Sequence, residues 1–165
     1  MKSIVIYFSL DSGSGKKGST RIVAEKIADM MGGNIARIEP EIKYSTDYDE
    51  CCKRAKYEID ENIHPQIKSI SMDFNEYDTV FIGFPIWYRT YPRPVASFID
   101  GVDLAGKKVI PFCTNEEGAF GTADLELGTV VKAKGSKTEM GIAVKSFNAE
   151  TCDSALKTWL SRVAR

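Results

Sequence analysis

An apolar run, Ile4-Val5-Ile6-Tyr7-Phe8, stops at Ser9 and gives way to a loop of glycines and hydroxyls, Leu10 to Thr20. The loop feeds a segment with apolar residues at Ile22, Val23, Ile27, Met30 and Met31, the spacing of an amphipathic helix. Strand, small-residue loop and helix in that order make a βα unit, and repeated βα units impose parallel pairing with right-handed crossovers. The same unit is a natural anion site. A helix N-terminus carries unpaired N–H groups and the positive end of the dipole, and glycine lets the backbone approach a phosphate closely. Ser9, Ser12, Ser14, Ser19 and Thr20 add hydroxyl donors.

The rest of the chain repeats this opening. Asn34–Glu39 reads as a second strand closed by Pro40, and Thr79–Phe84 as a third. A helix entered through Pro92 and Pro94 carries Val95, Phe98 and Ile99. Val109–Cys113 reads as a fourth strand, Thr122–Ala133 as a helix, and Thr138–Val144 as a fifth strand. A closing helix presents Cys152, Ala155, Leu156, Trp159, Leu160 and Val163 on one face. The expected architecture is a doubly wound α/β sandwich with helices on both faces, in a single domain over residues 1–165.

Two features strain this scheme. Pro111 sits inside the fourth strand, where a missing ladder donor predicts a bulge or an edge. The connection from Pro40 to Tyr77 is long for a crossover. It contains a helix over about Thr46–Asn62, expected to turn Tyr48, Cys51, Cys52, Ala55 and Ile59 inward and to form the outer pairs Asp49–Lys53 and Glu50–Arg54.

Lys+Arg and Asp+Glu nearly cancel, leaving a formal net charge of -1, which argues against nucleic acid as the main partner. No apolar run reaches the roughly 20 residues needed to span a bilayer. With Ser9 and Asp11 interrupting the first apolar stretch, the chain reads as cytoplasmic. The four cysteines have no C-x-x-C spacing, and the single histidine, His64, lies beside Pro65 in a loop, so neither a disulfide framework nor a metal site is expected.

In doubly wound folds ligands sit beyond the carboxyl ends of the strands. That directs attention to Ser9–Thr20, Pro85–Pro92 and Thr114–Gly121. The first loop has Walker spacing at Gly13 and Gly18, but Ser19 stands where the lysine belongs, which disfavours a nucleotide triphosphatase. The pattern G-x-G-x-x-G occurs at Gly13, Gly15 and Gly18, with only Glu39 available as a ribose partner. The second loop, Pro85-Ile86-Trp87-Tyr88-Arg89-Thr90-Tyr91-Pro92, carries large aromatics at the mouth of the sheet. They either cover the sheet end or wall a flat ligand. The third loop is small, polar and glycine-punctuated, suited to the edge of a heterocycle.

Ile6-Tyr7-Phe8-Ser9 with Gly18-Ser19-Thr20 and Val23-Ala24 resembles the phosphate loop of flavodoxin-like FMN proteins. Phe84–Tyr88 with Pro92 and Pro94, Ile110–Thr114, and the stretch Tyr48–Lys68 resemble one flavoprotein subgroup of that family, with a long connection between strands two and three. The resemblance implies a five-stranded parallel sheet of order 2-1-3-4-5 and FMN as cofactor. By it, Ser9, Gly18, Ser19 and Thr20 would hold the phosphate, and Pro85, Ile86, Trp87 and Tyr88 would lie along the isoalloxazine. Thr114, Asn115 and Gly118 would border the pyrimidine edge. It departs from the family pattern in an insertion, Asp11–Lys17, and at Arg89, Glu116 and Glu117. Lys16 and Lys17 would either close over the phosphate or stand in solvent.

The function expected from the resemblance is electron transfer with a redox partner or a small-molecule donor and acceptor, as a small NAD(P)H- or quinone-type oxidoreductase. A one-electron shuttle is the near alternative, though shuttles are typically far more acidic than this chain, whose sequence pI is about 5.9. A cofactor-free interaction module on the same fold is the other. A homodimer burying the aromatic loop fits either use. A phosphoacceptor receiver is excluded, because Phe84-Pro85 and Ser9-Leu10 stand where its acidic residues would be.

Overall fold

A computed structural model describes residues 2–165. Six strands form one sheet, β1 (Ser3–Tyr7), β2 (Ile35–Arg37), β3 (Thr79–Pro85), β4 (Lys108–Asn115), β5 (Lys137–Thr138) and β6 (Ile142–Lys145). The order is β2-β1-β3-β4-β5, every pairing is parallel, and β6 also pairs with β4. Five helices connect them: α1 (Ser19–Met31), α2 (Tyr48–Asp60), α3 (Arg93–Gly101), α4 (Ala123–Ala133) and α5 (Asp153–Val163). Among the described residues no helix is long and apolar enough to cross a membrane.

The central strands β1, β3 and β4 are buried on both faces, as their place between two helical layers requires. Alternation sends Ile4, Ile6, Val80, Ile82, Phe84, Val109 and Cys113 into one core with α3 and α4. Val5, Tyr7, Phe81, Ile110, Phe112 and Val144 go into the other, with α1 and α5. Gly83 pairs in register with Phe112, and the Phe112 ring fills the space where a side chain at 83 would stand.

Pro111 marks neither a bulge nor an edge. It lies in a paired central strand, opposite Ile82. The Lys108 N–H donates toward β3, to the Asp78 carbonyl, so strand alternation turns position 111 to the other side. There the expected fifth strand is broken into β5 and β6, and the ladder donor that proline lacks would have faced that break. Gly141, within the break, comes so close that a Cβ would stand 2.5 Å from the Pro111 carbonyl oxygen and 2.6 Å from the Phe120 ring. The proline and the split strand are one feature.

The β2–β3 connection differs from expectation in detail. Tyr48 is exposed, whereas Ala55 and Glu58 are buried. Arg54 pairs with Glu58 at 3.1 Å rather than with Glu50, because a buried carboxylate needs a counter-charge more than a solvated one. Glu50 instead accepts from the Ser45 hydroxyl at 2.8 Å, and Asp47 caps α2 by accepting from the Glu50 N–H. In α5, Ala155 faces solvent. His64 is a surface residue, its Nδ1 2.5 Å from Asp100.

Candidate functional site

The carboxyl ends of β1, β3, β4 and β6 surround an open cavity of about 290 Å³. Ser9, Ser19, Thr20, Pro85, Ile86, Trp87, Thr114 and Asn115, all singled out by sequence, line it together with Leu10, Glu116 and Ser146. One wall is the start of α1. The Arg21 N–H donates to Ser9 Oγ at 3.2 Å and the Gly18 N–H to Asp11 Oδ1 at 3.0 Å. The Ser19 and Thr20 N–H groups have no acceptor among the described residues, and both hydroxyls stand beside them. Unpaired donors at the positive end of a helix suit a phosphate. Gly18 permits the geometry: a Cβ there would fall 2.3 Å from the Leu10 carbonyl oxygen and 2.5 Å from Ser9 Oγ. Thr20 and Thr114 share a buried hydroxyl–hydroxyl bond of 2.7 Å that ties α1 to β4.

The inserted segment Asp11–Lys17 is built around Asp11. Its carboxylate accepts from Arg21 at 2.7 Å and from Arg37 at 2.9 Å, while Arg37 also donates to the Ser9 carbonyl at 2.7 Å. Burial pushes the Asp11 carboxyl up, but the Gly18 N–H and the two guanidiniums outweigh it and hold it below its ordinary 3.8. A lowered folded value means stability that is present above 3.8 and lost as the pH falls through the folded value. Asp11→Asn is therefore expected to lower Tm at pH 7. The gap to wild type should narrow once the pH drops below 3.8, as thermal melts across pH would show. Lys17 does not close over the niche; it pairs with Glu25 on the outer side of α1 at 2.7 Å.

The second loop is a tight turn in which Trp87 and Thr90 exchange backbone hydrogen bonds. Tyr88 and Arg89 at its centre both have positive φ, 49° and 69°, the signature of a type I′ turn usually made by glycine or asparagine. The turn is held from outside. The Arg89 carbonyl accepts from the Thr122 N–H and hydroxyl, and Thr90 donates to Glu126 at 2.5 Å. Tyr88 does not line the cavity; its hydroxyl donates to the Cys52 carbonyl at 3.3 Å. Trp87 does, and it also packs edge-on against Phe8 and Tyr44, with centroids 5.3 and 5.1 Å away. Tyr91 is buried, covering the sheet end against Phe84.

The third loop is organised by Asn115. Its Oδ1 accepts from the Gly118 and Ala119 N–H groups, and its Nδ2 donates to the Ala119 carbonyl. The side chain is thus spent on its own loop. Gly118, at φ 69°, supports the turn without lining the cavity. Cys113, beneath this loop, is buried, and desolvation raises its thiol to about 12, which makes it a packing residue. Among the described residues no cluster fit for a metal appears. Ser146, missed in the sequence, follows β6; the rule that ligands gather beyond strand ends would have reached it had the split fifth strand been legible.

A parallel sheet of this order, with a helix N-terminus and two loops enclosing one cavity, defines a flavodoxin-like α/β protein. The family model described as flavodoxin matches residues 2–163, and the chain belongs to that family. The crystal structure of a protein assigned as a flavoprotein from Bacteroides eggerthii DSM 20697 is 30% identical. It superposes with a TM-score of 0.83 over 99% of this chain and 98% of its own. A flavoprotein from Lactobacillus acidophilus NCFM, crystallised in complex with FMN, is 20% identical, with a TM-score of 0.74 over 96% and 97% of the two chains. The apo form of an NADH:FMN oxidoreductase (EMOB) is 15% identical, with a TM-score of 0.50 over 99% and 90%. No curated protein matches the sequence.

Proposed function

We propose that this chain binds FMN and acts as a small oxidoreductase of NAD(P)H or quinone type. The observation that carries the reading is the single cavity in which the unpaired N–H groups of Ser19 and Thr20 face the same space as Trp87 and Thr114. A phosphate and a planar ring on one ligand match that pairing of niche and walls. Family membership and the FMN in the Lactobacillus neighbour support it. Ser9, Ser19 and Thr20 hold the phosphate, and Gly18 lets the backbone approach it. Pro85, Ile86 and Trp87 wall the ring, and Thr114 with the Asn115 backbone borders it. Tyr88 and Gly118 act through the turns they form. Bound flavin would supply the hydride and electron chemistry, which the protein tunes.

Glu116 lines the cavity and Glu117 does not. A carboxylate beside a ring that gains negative charge on reduction opposes that charge by about 1 kcal/mol at ~4 Å in water-like surroundings. Glu116→Gln should therefore raise the potential of the second electron by about 40 mV, taking ~60 mV per 1.4 kcal/mol for one electron. Glu117→Gln should leave it unchanged. A spectroelectrochemical titration of the FMN-loaded variants reads both.

The test of the reading begins with visible spectra recorded with and without added FMN, followed by anaerobic mixing of the loaded protein with NADH or NADPH. Prompt bleaching of the flavin bands supports the oxidoreductase. Bleaching only by a reduced protein donor would replace it with a shuttle.

A further inference from the structure

Beside the flavin cavity lies a second one, of about 310 Å³, at the carboxyl ends of β1 and β2. The two share Ser9 and Leu10 as a common wall. We propose that this second cavity, lined by Asp11 after β1 and by the start of the β2–β3 connection, binds a flat aromatic monoanion distinct from the flavin.

Three observations carry the proposal. The first is the placement of the insertion. Asp11 lines the second cavity, and Gly13 comes close to Thr46 on its rim, where a Cβ would stand 3.8 Å from the Thr46 methyl. Lys17 is drawn to the outer side of α1 by Glu25, away from the phosphate niche. Asp11, the first residue of the insertion, is thus the one that joins this wall.

The second is the floor. It consists of Phe8, Ile38 and Tyr44, all buried. Tyr44 offers its ring and not its hydroxyl, because the phenol donates to buried Glu58, which Arg54 also engages. The Arg54 guanidinium lies 3.8 Å from the centre of the Tyr44 ring, and Trp87 meets that ring edge-on. A rigid aromatic floor in a pocket of this volume selects a flat apolar body.

The third is the charge at the rim. Asp11 is neutralised by Arg37 and Arg21, and Glu39 pairs with Lys68 at 3.3 Å. Lys43, the remaining charged lining residue, makes no ion pair or hydrogen bond among the described residues. One uncompensated cation beside an aromatic floor calls for one negative charge on the ligand.

The probe pair is naphthalene-2-sulfonate and its neutral sulfonamide, titrated against the full chain by ligand-observed NMR, with and without saturating FMN. The sulfonate should bind roughly threefold to fivefold tighter than the sulfonamide, the range of an exposed charge pair. Lys43→Gln should erase that preference, and Thr46→Trp, which fills the mouth, should abolish both. FMN should change neither affinity. Displacement of the probes by FMN would place them in the flavin cavity and overturn the proposal. A sulfonate preference that survives Lys43→Gln, or no binding at millimolar probe, would overturn it equally. The Lys43 and Thr46 variants test the pocket even in protein that takes up no FMN, so its failure is separable from failure of the flavin reading.

Discussion

Gly83→Ala is expected to lower stability by about 3 kcal/mol, at the upper end of the usual cost of overpacking a core. For a chain of this size that is a fall in Tm of about 6–12 °C. A Cβ at 83 would stand 2.0 Å from Cζ of Phe112, far inside contact distance, and the ring cannot retreat because it is fully buried between the sheet and the α1–α5 layer. Overlap with a partner in register on the next strand forces either an off-rotamer phenylalanine or a shift of β4, and β4 carries Thr114 into the site. Phe112→Leu in the same background should recover part of the loss. Thermal melts of the two single variants and the double variant would show a strong coupling, whereas additive losses would contradict the assignment.

Gly18→Val is expected to weaken FMN binding by at least about a hundredfold, some 2.7 kcal/mol. The φ of Gly18, -68°, suits any residue, so the effect does not come from backbone strain. It comes from the Leu10 carbonyl and the Ser9 hydroxyl, which occupy the space a side chain would need. Making room moves the first turn of α1 away from the loop and breaks the convergence of donors on which phosphate affinity depends. Gly15→Ala is the informative control. Gly15 has φ 83° and open space around its Cβ, so the substitution should cost about 1–2 kcal/mol in stability through backbone strain alone and leave FMN affinity within twofold. Fluorescence titrations of the two variants separate close approach from conformational freedom, two reasons for glycine that the sequence alone does not distinguish.

Much of this was legible because the informative residues are local in sequence. Strand periodicity, glycine and hydroxyl spacing in the first loop, and the aromatic second loop point to the sheet and to the loops that surround the cavity. What was not legible depends on partners far along the chain. Pro111 is explained by a break between two segments some thirty residues later. Tyr48 and Arg54 were misassigned because helical periodicity does not reveal that Glu58, four residues beyond Arg54, is the buried acid. Asn115 has the chemistry of a ligand contact, but its amide closes its own loop. Whether the lysines of the insertion close over the phosphate or stand in solvent depends on Glu25, which engages Lys17 on α1, a partner outside the loop itself.

The helix of the long connection also gains a purpose from these contacts. Arg54, Glu58 and Tyr44 brace Trp87 from behind, and burial together with the Glu58 bond raises the Tyr44 phenol far above its ordinary value, keeping it a donor. A wall residue with a fixed rotamer loses less entropy when a ring docks on it.

The most direct test of the account compares FMN with riboflavin, which lacks the phosphate, by quenching of flavin fluorescence against increasing protein. Charge-assisted hydrogen bonds at the start of α1 predict FMN to bind about tenfold to a hundredfold more tightly. Equal affinities would contradict a phosphate held by Ser19 and Thr20, and no quenching of either flavin at millimolar protein would contradict the flavin site itself.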